Sequence, residues 1–164
     1  KMNNSFYIDL FSSLSKITFW VDSGLNFIKL NKKYQNYQSV FCSEKSQGYE
    51  MISNKFNKCV CSLDFMHKYL GKKFIYRHER ANPSKVILMD MMQVGSDKKM
   101  NYKLARKFIR NNGKKYYIAG GIKNMFDINK AKNMGASGVL VSSMLHQNKL
   151  SKNIIQKEKT SSKY

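Results

Sequence analysis

The sequence predicts an α/β chain built on a parallel sheet, and three observations carry that prediction. Several apolar segments are continuous runs rather than alternating ones, as in Ile87-Leu88-Met89 and Val139-Leu140-Val141. Such a run suits a strand covered on both faces, the usual state of a strand in a parallel sheet between helices. Polar, helix-like stretches separate the runs, and Gly113 and Gly135 stand where helix C-terminal glycines belong. The same order of motifs also occurs twice along the chain, which predicts two similar halves.

The candidate strands, in order, are Phe6–Leu10, Thr18–Asp22, Ser39–Cys42, Cys59–Asp64, Val86–Asp90, Tyr116–Ala119 and Val139–Ser142. Each is a short apolar run, and all but the first end in a small or acidic residue. The candidate helices between and after them are Phe27–Tyr37, Lys45–Phe56, Tyr102–Asn112, Phe126–Met134 and Ser151–Glu158. Strand alternating with helix requires right-handed crossovers and a parallel sheet. Residues 6–150 are expected to form one domain, and residues 151–164 a terminal helix with a frayed, charged tail.

The repeat can be followed residue by residue. Trp20-Val21-Asp22-Ser23-Gly24-Leu25-Asn26 superimposes on Tyr117-Ile118-Ala119-Gly120-Gly121-Ile122-Lys123. After a helix, each leads to an apolar strand ending in a small polar residue: Val40-Phe41-Cys42-Ser43, then Val139-Leu140-Val141-Ser142. Before them, Phe6-Tyr7-Ile8-Asp9-Leu10 resembles Ile87-Leu88-Met89-Asp90-Met91. A barrel of two similar halves is the expected architecture. Only eight residues, Leu10 to Ile17, separate Asp9 from Thr18. A parallel crossover needs about ten to twelve. The expectation is a truncated or internally deleted relative of a longer protein.

The second half carries the sharper chemistry. Tyr116 to Ala119 runs straight into Gly120-Gly121, and Val139 to Val141 into Ser142-Ser143. Small residues at the C-terminal ends of neighbouring parallel strands make a phosphate cradle. Glycine lets an oxygen approach the backbone N–H groups, and serine adds hydroxyl donors.

Composition narrows the alternatives. Apolar residues make up 42% of the 164, with ten Phe and ten Tyr, enough for a real core. No run approaches the length of a membrane span, and no signal peptide is evident, so the expected setting is cytoplasmic. Cys42, Cys59 and Cys61 read as small core residues rather than a disulfide framework. His67, His78 and His146 have no metal-ligand spacing, so neither a metal nor a cofactor is expected. The net charge of +20 is almost all lysine and is spread along the chain. A nucleic-acid face would more often cluster arginine with exposed aromatics, so the charge predicts nonspecific polyanion binding only.

The ordered motifs WVDSGLN, SVFCSE, CVCSLDF, VILMDMMQVGS, YYIAGGIKNMFDI and GASGVLVSSMLHQNKL resemble the histidine-biosynthesis TIM-barrel family. That family contains the phosphoribosylformimino-aminoimidazole-carboxamide-ribotide isomerase and the cyclase subunit of imidazole glycerol phosphate synthase. The resemblance spans roughly residues 6 to 150 and is strongest toward the isomerase. It implies an incomplete (β/α)8 barrel, about strands two to eight, with one phosphate cradle per half. The C-terminal cradle would use Gly120, Gly121, Ser142 and Ser143, and the N-terminal one Ser23, Gly24 and Ser43.

The resemblance further implies an aldose-to-ketose (Amadori-type) rearrangement of a phosphorylated ribose derivative by two opposed aspartates. Asp64, closing Cys59-Val60-Cys61-Ser62-Leu63-Asp64, matches the fifth-strand aspartate and would be the general acid. Asp9 is the candidate general base, although its repeat partner Asp90 assigns it to the second strand. Val94 stands where the isomerases carry an acidic residue, with Gly95 kept. Two alternatives follow: a non-catalytic relative, either a phosphosugar-binding protein or a fragment that completes its barrel by self-association, or a basic nucleic-acid-binding protein.

Overall fold

The computed structural model describes residues 13–14, 16–22, 36–45, 59–71, 83–109 and 113–161. The strand expected at Phe6–Leu10 and the bodies of the helices expected at Phe27–Tyr37 and Lys45–Phe56 lie outside them.

Seven strands are described: β1 Phe19–Val21, β2 Tyr37–Cys42, β3 Val60–Met66, β4 Lys68–Leu70, β5 Lys85–Asp90, β6 Lys115–Ala119 and β7 Gly138–Leu140. The described helices are α1 Tyr102–Phe108, α2 Met125–Asn133, α3 Ser143–His146 and α4 Lys152–Ser161. The main path of the sheet runs β1-β2-β3-β5-β6-β7, in chain order, and every pairing along it is parallel. This is the incomplete (β/α) barrel that the sequence predicts. Among the described residues no helix is long and apolar enough to cross a membrane.

The limits of the described strands differ from the expected ones by at most two residues. Tyr37, expected at a helix end, instead opens β2 with its ring buried. An unexpected strand, β4, folds back antiparallel onto the end of β3 through His67, whose φ is 59°.

The continuous apolar runs prove to be covered on two sides. Val40, Val60, Ile87 and Ala119 point to one face and pack with Trp20, Cys42, Met89, Tyr117 and Leu140. This is the barrel interior. Their chain neighbours point the other way. Phe41, Cys61, Leu63, Phe65, Val86 and Leu88 form one outer cluster with Tyr116. Ile118, Ile122, Ala131 and Met144 belong to a second, under the helices. The sheet curls strongly. Trp20 of β1 meets Tyr117 of β6 edge-on, with ring centroids 4.6 Å apart, although three strands separate them in the sheet. Lys85 closes the interior at its N-terminal end, its Nζ donating to Gln38 Oε1 at 2.8 Å and lying 5.7 Å from the Trp20 ring centroid.

Local chemistry sets the helix limits. Asn124 caps α2, its Oδ1 accepting from Asp127 N at 3.1 Å, while Asp127 Oδ2 accepts from Lys123 N at 3.0 Å. The pair resembles a capping box, with the return bond reaching one residue beyond the N-cap. At the other end Ala136 N donates to Ala131 O and Gly135 N to Lys132 O, the two bonds of a Schellman motif. The helix expected at Tyr102–Asn112 ends earlier, at Phe108, where Ile109 turns to extended backbone.

Candidate functional site

Both cradle motifs of the second half arrive at the C-terminal end of the sheet. Gly120 and Gly121 follow β6 directly, with φ of 95° and 77°. A Cβ on Gly120 would fall on the Asp90 carbonyl oxygen. One on Gly121 would stand 2.6 Å from Met100 N, which donates to Gly121 O at 3.0 Å. Both backbone angle and space therefore demand glycine here. Ser142 and Ser143 follow β7 closely, and both are exposed. Ser142 makes no side-chain cap bond to α3.

These four residues share one cleft of about 290 Å³, together with Met89, Gln93, Ser96, Ile122, Lys123, Leu140 and others. Its size is near the lower end of small-molecule sites. Two backbone glycines, two hydroxyls and the Lys123 ammonium supply donors and positive charge. Lys123 Nζ is 3.4 Å from Asp97 Oδ1, whose side chain is fully exposed, so this pair holds the lysine only loosely.

The floor of the cleft is one row of the sheet. Met89 pairs in register with Ala119, and Ala119 with Leu140. All three line the cleft. The same row continues outward to Asp64, the register partner of Met89. Residues paired in register on parallel strands face the same side, about 4.8 Å apart. Asp64 therefore belongs to the level of the cleft floor, one strand spacing from its wall.

Asp64 is buried. Ser62 Oγ donates to its Oδ1 at 2.7 Å, and Glu44 N to its Oδ2 at 3.2 Å. Ser43 Oγ accepts from Asp64 N at 2.9 Å and lies 2.6 Å from Leu70 O and 3.2 Å from Asp64 Oδ2. A hydroxyl has one proton, and the shorter contact, to Leu70, takes it. The longer contact, from Ser43 Oγ to Asp64 Oδ2, is the weaker of the two. Burial pushes the Asp64 pKa above its ordinary value, against the hydrogen bonds that favour the anion; the nearby Glu44 charge also raises it. Desolvation thus outweighs the hydrogen bonds and raises the carboxyl's affinity for a proton.

The expected N-terminal cradle is only partly within view. Ser23, Gly24 and the candidate base Asp9 lie outside the described residues. Ser43 is fully buried, and its hydroxyl is engaged by Asp64 and Leu70. Asp22 directly follows β1, and its carboxylate accepts from Cys42 Sγ at 3.3 Å.

Two other buried aspartates are structural. Asp90 points away from the interior, its Oδ1 accepting from Met92 N at 3.1 Å and its Oδ2 from Asn101 Nδ2 at 3.0 Å. Asp127 accepts from Tyr102 OH at 2.8 Å, joining α1 to α2. Burial, then the bond to Asp127, moves the Tyr102 phenol up to about 12. Cys61 faces the outer cluster, where burial pushes its thiol up to about 12, so it is a packing residue rather than a nucleophile. Sequence reasoning missed Gln93 and Lys123 as cleft residues. The available signal was their position just after barrel strands, on the face where such folds build sites.

Comparison with known proteins adds two findings. A family model described as "Histidine biosynthesis protein" matches residues 13–151. An uncharacterized protein of Methanocaldococcus jannaschii is 25% identical over 156 residues, covering 89% of this chain and 67% of the relative.

Proposed function

The chain belongs to the histidine biosynthesis protein family, and from that premise we propose that it binds a phosphorylated ribose derivative in the β5–β7 cleft. The phosphate sits on the Gly120–Gly121 backbone and the Ser142 and Ser143 hydroxyls, with Lys123 adding charge. The sugar extends along the floor, over Ala119 and Met89, toward Asp64. The observation that carries this reading is the shared register row, which joins an anion cradle to a buried carboxyl.

The reaction that fits is an aldose-to-ketose rearrangement. Asp64, whose burial favours its protonated form, gives its proton to the ring oxygen as the ring opens. A base then removes the C2 proton and returns it to C1, while the C2 hydroxyl gives up its proton as the enol becomes the ketose, so no atom is gained or lost. Asp9 is the proposed base. A carboxyl that is neutral at the start and a second that is ionised divide the acid and base roles.

Titration calorimetry with ribose 5-phosphate tests the binding step. Wild type is expected to bind, and the Ser142→Ala/Ser143→Ala double variant to bind at least tenfold more weakly. No wild-type binding, or none lost in the double variant, defeats the proposal. A second reading, a binder without turnover, is favoured by one observation. Val94, at the position of the expected acidic residue, is apolar and 57% exposed. Isomerase turnover abolished by Asp64→Asn would exclude it.

A further inference from the structure

The loop after β5 is tightly tied. Gln93 N donates to Asp90 O at 3.0 Å, Met92 N to Asp90 Oδ1 at 3.1 Å, and Asn101 Nδ2 to Asp90 Oδ2 at 3.0 Å. Ser96 Oγ accepts from Lys98 N at 3.2 Å. These bonds fix where the Gln93 side chain starts. Its Cβ lies 3.4 Å from the place a Cβ on Gly120 would occupy, beside the first residue of the cradle. Gln93 lines the cleft, yet its Oε1 is buried and has no hydrogen-bond partner.

A buried amide oxygen without a partner is costly, and native structures hold few of them. In a loop tied by the bonds above, the exception needs a cause. Core packing would be served better by Leu or Met. A turn of the side chain toward the cleft would bring the amide to a group that arrives with a ligand.

We propose that Gln93 reads a hydroxyl of the bound ester, next to the phosphate. The ligand class is then a phosphorylated sugar or polyol, rather than a bare or alkyl phosphate. A hydroxyl both donates and accepts, so it pairs with the amide in either of its two orientations. This inference rests on the phosphate reading of the cleft and adds the residue that discriminates what the phosphate is attached to.

The test compares ethyl phosphate with ribose 5-phosphate on wild type, Gln93→Met and Gln93→Leu. Wild type is expected to bind ribose 5-phosphate at least tenfold more tightly than ethyl phosphate. Both variants are expected to lose that preference while keeping ethyl phosphate affinity within twofold. Their unliganded melting temperatures should rise, because an unpaired polar group has gone. Ethyl phosphate binding in the variants also reports that the cradle is folded. If wild type shows no preference, or the variants lose both ligands equally, the assignment of Gln93 falls and the cradle stands. If wild type binds neither ester, the phosphate reading falls and takes this inference with it.

Discussion

Asp64 and Gly120 show two ways in which one residue governs the site. The folded state raises the Asp64 pKa, so it holds the proton more firmly than the unfolded chain does. Between the ordinary carboxylate value of 3.8 and the raised value, stability therefore falls as pH rises. Asp64→Asn should flatten that part of the profile, read as the denaturant midpoint against pH; an unchanged slope would mean Asp64 ionises as easily folded as unfolded. Gly120 acts through the backbone. At its φ of 95°, Gly120→Ala should cost about 1–3 kcal/mol from backbone strain alone, with more from the clash on the Asp90 carbonyl. Thermal or chemical denaturation measures this loss. For that reason the serines, which can lose a hydroxyl without moving the chain, are the better probes of binding.

At the scale of elements, α2 is held by two devices that can be separated. Asn124→Ala removes the N-cap and should cost about 1 kcal/mol. Tyr102→Phe removes the bond to Asp127 and should cost a further 0.5–1.5 kcal/mol or about that. Denaturant titrations of both single variants and the double check each value. Asp127 touches both groups, so a departure from additivity is expected. The elements also show what the sequence could reveal. β2, β3, β5 and β6 were legible because a buried strand needs apolar residues on both faces, and few other structures do. The end of α2 was legible because Gly135 closes a Schellman motif. β4 was not. Lys68-Tyr69-Leu70 has no apolar run, and its pairing depends on the left-handed His67 rather than on a glycine. The cradle residues were legible from glycine and serine at strand ends. Gln93 was not, because an unpaired amide is a property of the packed structure.

The whole molecule contains one tryptophan, Trp20, and the fold places it on the inner face of the curled sheet. Its edge-on contact with Tyr117 ties β1 to β6 across the interior, so its fluorescence reports closure of the sheet. Tyr117→Ala should shift the emission to longer wavelength while leaving most of the far-ultraviolet circular dichroism intact. An unshifted spectrum would show that the contact does not hold β1 in place. The chain-order pairing has a consequence for assembly. Along the main path the described strands pair in chain order, with β4 set aside on the end of β3, so no strand of the path must be threaded between two already paired. Such a sheet grows like a zip. Adding or removing a strand-and-helix unit at either edge changes its width and breaks no pairing inside it, so gain or loss of whole units is the cheapest way to vary this architecture.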